Sequence, residues 1–446
     1  MYQKNSLKSD KKSFFSISNF PFYYGWVILL VGALGVLASI PGQTMGVSVF
    51  TDHFIQNLSI SRVEISTSYM IGTLTSSLLI SYAGLCFDKF GARIVAAVAV
   101  ICLGLFLLVL GFSPNIIEFL SSFINVPHFI IVFVVITIGF FGIRFFGQGV
   151  LTLVSKGMVA KWFGSRRGFA VGIMGLITAF GFSFAPQPLH YMIKKFEWNN
   201  ALIVLSAILI CIVLPMVLIF FRAEPNRYGI ELEQGMKKKH VKKNSSAMDA
   251  KVEKTVQQAR KETLYWIILF SLGFWSLFNT AFTFHIISIF DEIGIGADQA
   301  VRIFFPISVV SVIARFLGSY LSDRISIKYI YIGYVISLIV ASLSLMTIEY
   351  SISRFLMILS CGVGGGLFGM LNIVTWPKLY GRKHLGAVSG FAMSIVVAAS
   401  AIGPWLFSLI KEFTNSYHLA GFFGIIINFL FLIIVLRVNW NVEKAN

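Results

Sequence analysis

Twelve long apolar stretches fill most of this sequence, and each has the length of a helix that crosses a lipid bilayer. A helix needs about 20 apolar residues to span the hydrocarbon core. Because no water satisfies backbone groups there, such stretches fold as helices. They cover 25–50, 61–87, 93–112, 129–155, 166–191, 198–221, 263–290, 298–322, 327–346, 354–380, 385–411 and 417–438. The predicted fold class is therefore all-α membrane, with twelve transmembrane helices.

The composition excludes a soluble protein. Residues are 57% hydrophobic and only 12% charged, whereas a soluble domain has about 25% charged residues. The four cysteines all fall within the apolar stretches, so neither a disulfide framework nor a zinc site is expected. No motif in the sequence predicts a cofactor.

The formal net charge of +17 is concentrated in the loops. Lysines precede the first apolar stretch, and the loop 222–262 is strongly basic. Because basic residues stay on the cytoplasmic side during insertion, we expect both termini and this loop in the cytoplasm. The predicted location is the cell (inner or plasma) membrane, and no nucleic-acid partner is expected.

Two segments of similar sequence close a predicted helix in each half of the chain. GLCFDKFGAR occupies 84–93 and SYLSDRISIK occupies 319–328, each with a basic residue five positions after its Asp. A second repeat matches Gly168, Gly172 and Pro186 with Gly386, Gly390 and Pro404. We predict an N-terminal bundle over 1–221, a basic cytoplasmic linker over 222–262 and a C-terminal bundle over 263–446. Membrane proteins built from repeated units are commonly transporters, with the substrate site where the repeats meet.

The repeated segment also suggests a gate. A carboxylate at a helix end accepts charge-assisted hydrogen bonds from basic side chains or from the N-terminus of a neighbouring helix. Such a contact would hold one face shut, although simple solvation of the helix ends is the alternative. The predicted gating residues are Gly84, Asp88, Arg93, Asp323 and Arg324.

Several of these segments resemble a known family. The segment 84–93 resembles the signature loop of the major facilitator superfamily, and RFFGQG at 144–149 resembles its second motif. YGWV at 24–27 and WFGSRRGFAVG at 162–172 are similar to its monocarboxylate transporter and oxalate/formate antiporter branch. The resemblance implies two six-helix bundles that carry a small organic anion by alternating access.

By that resemblance, Arg315 lies where the branch places its substrate-binding arginine. The chain departs from the branch at two points. Monocarboxylate carriers have an Asp one turn before that arginine, where this chain has Ser311. The oxalate/formate type adds a Lys in the eleventh helix, and residues 385–410 contain none. The first departure argues against proton coupling through an Asp–Arg pair. The second argues against a dianionic substrate.

Two arginines lie inside apolar stretches, and no acidic residue lies at their depth. Arg144 is near the middle of the fourth stretch and Arg315 is in the inner half of the eighth. A central arginine costs about 2.5–3.5 kcal/mol on insertion scales, so each needs water or a partner. We predict that both contact an anionic substrate, while bracing of backbone carbonyls is an equal alternative for Arg144. A polar stripe shares the helix face of Arg315: Ser308, Ser311, Ser319 and Ser322.

Further polar residues at mid-depth are weaker candidates. Gln43, Tyr69, Asn279 and Asn372 are predicted substrate contacts, although hydrogen bonds between helices explain such residues at least as often. His285 and Glu64 are possible proton-coupling groups, because histidine titrates near neutral pH. A packed, uncharged histidine is the alternative.

The leading hypothesis is a secondary transporter of a small carboxylate, working as a symporter or antiporter. Its expected partners are the anionic substrate and the lipid bilayer, and the chain is expected to be monomeric. The alternative within transport is an efflux carrier for drugs or other metabolites. An enzyme is not expected, since no nucleophile set, metal cluster or phosphate-binding loop is present. A receptor without transport activity is a further alternative.

Overall fold

The computed structural model describes residues 23–123, 125–163, 167–222, 225, 254–322, 324–381 and 385–440. These residues are helical almost throughout and contain no strand. Asp323 and most of the predicted linker lie outside the described residues. The all-α membrane fold class predicted from the sequence is confirmed.

The helices of the first half differ widely in length, from five to 29 residues. After α1 (Gly25–Leu37) comes a 3₁₀ turn, Ile40–Gly42. Two stretches are π-helical: Arg144–Leu151 joins α7 to α8, and Leu209–Val213 joins α11 to α12. The other helices are α2 (Thr44–Ser48), α3 (Thr51–Leu58), α4 (Arg62–Phe90), α5 (Ala92–Gly111), α6 (Ser113–Phe123), α7 (His128–Ile143), α8 (Thr152–Trp162), α9 (Arg167–Phe184), α10 (Pro186–Phe196), α11 (Trp198–Ile208) and α12 (Leu214–Phe220).

The described part of the second half contains six helices of 19 to 30 residues. A short helix precedes them, and breaks interrupt the seventh and eighth predicted stretches. They are α13 (Val256–Ala259), α14 (Thr263–Phe284), α15 (Ile286–Asp291), α16 (Ala297–Arg302), α17 (Phe304–Ser322), α18 (Ile327–Met346), α19 (Ser351–Tyr380), α20 (Leu385–Thr414) and α21 (His418–Arg437).

Nine helical segments of the described chain are long and apolar enough to span a membrane, and bent α4 makes ten. The predicted stretches 25–50 and 166–191 are helical but broken. Each break lies at a proline, Pro41 and Pro186. Proline lacks the backbone donor that an ongoing helix needs, so it ends one helix and starts the next.

Packing contacts divide the chain into two compact units. The first contains Met1–Ile60 and Ile71–Val241, and the second contains Ser61–Met70 and Lys242–Asn446. The opening turns of α4 therefore pack within the second unit. The helix itself bends by 45° between Ile80 and Tyr82.

Glycines allow the helices within each unit to pack closely. In the first unit, a side chain on Gly42 would overlap the carbonyl group of Ile143. In the second, Gly366 on α19 meets the backbone of Ser311 on α17. Small residues at such contacts let helix backbones approach one another inside a membrane, where packing rather than water exclusion drives association.

Candidate functional site

Arg144 lies in the interior of the first unit. Its side chain is 1% exposed, at the start of the π-helical segment. The guanidinium donates from Nε to Thr73 Oγ1 at 3.1 Å and from a terminal nitrogen to the carbonyl of Gly42 at 3.1 Å. These bonds join three separate segments. The geometry thus fits the bracing alternative for this arginine, and substrate contact by it remains a prediction.

Gln43 takes part in a polar cluster beside this brace. Its side-chain nitrogen donates to Ser39 Oγ at 2.9 Å and to Thr152 Oγ1 at 3.4 Å. Thr152 in turn donates to Ser39 at 3.1 Å. Sequence analysis missed Thr152, because a lone threonine in an apolar stretch gives no sign of which helix it faces. Gln43 is half-buried. Its amide nitrogen is already hydrogen-bonded to two neighbouring hydroxyls.

Arg315 has the opposite environment in the second unit. Its side chain is exposed on α17, and its guanidinium lies directly over Gly369 of α19. A Cβ atom added at Gly369 would overlap the guanidinium nitrogens. Among the described residues, Arg315 forms no hydrogen bond and no ion pair. An arginine in an apolar helix needs water or a counter-ion to stabilise its charge, and no protein group in the described part of the chain supplies that counter-ion.

Asn372 lies one turn from Gly369 on the same helix, so the two positions share a face. Its side chain is half-buried, and the amide nitrogen is 3.8 Å from the sulfur of Met393 on α20. Asn279, on α14, is half-buried, and its amide has no hydrogen bond within the described part of the chain. Sequence analysis missed Gly369 as a member of this site, since a glycine has no side chain that could mark it as a contact.

His285 lies at the break between α14 and α15 and is 1% exposed. Its Nε2 donates to the carbonyl of Pro404 at 2.8 Å and is 3.2 Å from Ser408 Oγ. The Ser408 hydroxyl is in turn 2.5 Å from that of Ser66. The second ring nitrogen, Nδ1, has no hydrogen bond among the described residues. A proton could therefore be added only at Nδ1.

Aromatic rings enclose this histidine within the second unit. The ring of Phe407 stacks parallel to it at 6.5 Å, and that of Tyr417 lies at 5.5 Å. Tyr69, predicted as a substrate contact, is fully buried with its ring 4.7 Å from that of Phe284. Tyr69 thus belongs to the surroundings of His285, and no contact places it beside Arg315 in the described residues.

Glu64, the other proton-coupling candidate, caps the start of α4. The backbone N–H of Ser61 donates to the Glu64 carboxylate at 2.6 Å, and the N–H of Glu64 donates to Ser61 Oγ at 3.1 Å. This reciprocal pair is a capping box, which satisfies two backbone donors that the helix start leaves without partners. The position of Glu64 therefore has a structural explanation independent of any proton.

The repeated segment of the first half forms two contacts. Asp88 pairs with Lys161 of α8, with 3.0 Å between Nζ and Oδ1. Arg93, at the start of α5, donates from Nε to the carbonyl of Phe221 at 3.1 Å, just after the end of α12. Gly84 has open space around the position of a side chain. The predicted gate residues Asp88 and Arg93 thus bind different neighbours.

The second half repeats these contacts with different side chains. Lys328 occupies the position of Arg93 and donates to the carbonyl of Leu436 at 3.1 Å, near the end of α21. Lys378 donates to the carbonyl of Ser322, next to Asp323, which lies outside the described residues. Arg324 places its guanidinium 4.2 Å from the ring centre of Tyr320. In both halves, a basic residue therefore binds the carbonyl end of the last helix, where the helix dipole is negative.

No group of three or more potential metal ligands occurs among the described residues. The arrangement is one of polar side chains within helical bundles. It offers an exposed cation on α17, a buried cation in the first unit and a buried histidine at a helix break.

Comparisons with known proteins agree with this architecture. A profile of the Major Facilitator Superfamily matches residues 31–404. The crystal structure of a D-xylose–proton symporter is similar at 17% identity, with a TM-score of 0.62 over 95% of this chain and 100% of that chain. The inward-open xylose transporter XylE from E. coli is 17% identical, with a TM-score of 0.61 over 91% and 95%.

A further similar structure is a bacterial homologue of the human lysosomal transporter Spinster in an inward-facing, unoccupied conformation. It is 12% identical, with a TM-score of 0.64 over 92% of this chain and 95% of that chain. At these identities the likeness concerns the fold alone. No curated protein matches the sequence.

Proposed function

Since the chain belongs to the Major Facilitator Superfamily and is a multi-pass membrane transporter, we propose that it carries a small, monocarboxylate-like organic anion by alternating access. The observation that supports this proposal is the guanidinium of Arg315. It is exposed, lies over Gly369, and has no carboxylate partner among the described residues. A bound anion would supply the missing charge.

The chemistry of the site suits a carboxylate. A guanidinium presents parallel N–H donors whose spacing matches the two oxygens of a carboxylate. Because Gly369 has no side chain, the guanidinium can pack directly against α19 at that point. The amide of Asn372, one turn away, offers a further donor. Charge-assisted hydrogen bonds of this kind are about twice as strong as neutral ones.

Uptake into proteoliposomes tests the proposal. We expect saturable uptake of a radiolabelled monocarboxylate such as lactate or formate, and loss of at least about tenfold in Arg315→Gln, since a bidentate charged contact is worth well over 1.4 kcal/mol. Arg302→Gln is the matched control, because Arg302 is exposed in the preceding helix α16.

Three results would count against a carboxylate site at Arg315. One is unchanged uptake in Arg315→Gln, and another is an equal loss in both variants. The third is competition by lipophilic cations instead of carboxylates, which would favour the efflux alternative.

A further inference from the structure

A groove on the surface of the first unit is lined by aliphatic and aromatic side chains and by the thiol of Cys86. It has a volume of about 380 Å³ and lies between the last part of α4, the first part of α5 and the π-helical segment. Tyr82 and Phe90 form one wall and Phe145 and Phe146 another. Val98 lies along the α5 side. The groove belongs to none of the polar clusters described above.

The groove opens on a face that is exposed within the unit. The side chains of Tyr82, Phe90 and Val98 are 65%, 49% and 50% exposed. On the opposite wall, the rings of Phe145 and Phe146 pack edge to face, with their centroids 4.9 Å apart. On a membrane-spanning segment, an exposed apolar surface of this kind is suited to contact with lipid hydrocarbon. An acyl chain matches both its position and its lining.

One end of the groove carries positive charge. Lys89 adjoins Phe90 at the end of α4, is exposed, and has its ammonium 5.3 Å from the Phe90 ring centre. The neighbouring Asp88 would repel an anion, but its carboxylate is paired with Lys161 at 3.0 Å. Basic residues at the membrane surface attract anionic headgroups.

We propose that this groove binds an anionic phospholipid, with an acyl chain between α4, α5 and the π-helical segment and the headgroup phosphate on Lys89. The apolar lining alone would accept a chain from any lipid. The charge at the mouth adds a preference for a negative headgroup. The inference is independent of the transported substrate.

Photo-crosslinking in nanodiscs tests this site directly. The probes are a phosphatidylglycerol and a phosphatidylcholine that carry the same diazirine-labelled acyl chain, with the crosslinked residues identified by peptide mass spectrometry. We expect the phosphatidylglycerol probe to label residues 82–98 about fivefold more than the phosphatidylcholine probe, the preference typical of one basic residue at the membrane surface. Ile212, which is 64% exposed elsewhere on the unit, serves as the internal reference and should show equal labelling by both.

Two sets of variants distinguish the contribution of the lipid headgroup from that of the acyl chain. Lys89→Gln should reduce the groove ratio to about one, whereas Lys89→Arg should retain it, and Lys261→Gln removes an exposed lysine elsewhere as a control. Val98→Trp should lower groove labelling by both probes, because the larger ring fills the channel. A groove ratio near one in the unmodified protein would overturn the proposal. So would the same ratio at Ile212, or an unchanged ratio in Lys89→Gln.

Discussion

At the scale of single residues, Gly369 controls the environment of Arg315. The guanidinium occupies the space that a Cβ atom at Gly369 would take. Alanine there must displace it, because the contact is with the charged end of the side chain. The end of a flexible side chain can move, so the helix itself should tolerate alanine.

We therefore predict that Gly369→Ala impairs uptake while leaving the protein folded. The expected effect is a rise in KM for the carboxylate of about tenfold or more, since a displaced charged hydrogen bond costs about 1.5–3 kcal/mol. Gly333→Ala is the control, as it introduces the same methyl group into the helix α18 where open space surrounds it. Identical kinetics in the two variants would show that Arg315 does not contact the substrate.

Substitutions can also show which of the two proton-coupling candidates, His285 or Glu64, carries a proton during transport. Glutamine retains a hydrogen-bond donor at position 285 and a capping side chain at position 64, and it removes the titratable group from both. If a proton travels with the substrate through His285, uptake by His285→Gln should lose its dependence on external pH. We expect Glu64→Gln to keep that dependence, because the capping box explains its carboxylate. The measurement is initial uptake rate between pH 5.5 and 8, and the reverse pattern would assign the proton to Glu64.

At the scale of elements, the last helix of each half is bound in the same way, by a basic side chain at its C-terminal end. Arg93 binds the carbonyl of Phe221 beyond α12, and Lys328 binds that of Leu436 in α21. The carbonyls of a final helical turn have no partners within the helix. A basic side chain at the start of another helix supplies a donor and a charge that complements the dipole.

Loss of this donor should loosen only the helix that it binds. We predict that Arg93→Gln speeds hydrogen exchange at the end of α12, and that Lys328→Gln does so at the end of α21. The stabilisation lost at each end is about 0.3–1 kcal/mol, the usual size of a charge–dipole contact. Each variant is the control for the other. Faster exchange at both ends in either variant would indicate general destabilisation instead.

At the scale of the whole molecule, the helical membrane fold could be predicted because it depends on a property of long segments. The apolar stretches and the repeated segments predict this class, whereas the breaks at Pro41 and Pro186 divide two of the predicted stretches into shorter helices. Partners of single side chains could not be predicted in this way. Arg144 and Arg315 look alike in sequence, yet one is bonded to Gly42 and Thr73 and the other lies exposed over Gly369. That difference depends on which helix faces which.

The charges of the loops predict the orientation of the molecule in the membrane, and this prediction can be tested directly. The basic loop 222–262 should lie in the cytoplasm, and Asn57, near the end of α3, should lie outside, because positive loops resist translocation. Single cysteines, Ser245→Cys and Asn57→Cys, would be introduced after replacing the four native cysteines with alanine. In intact cells, a membrane-impermeant maleimide should label position 57 alone, and permeabilised cells should add position 245. Labelling of position 245 in intact cells would reverse the orientation and place the mouth of the lipid groove at the outer leaflet.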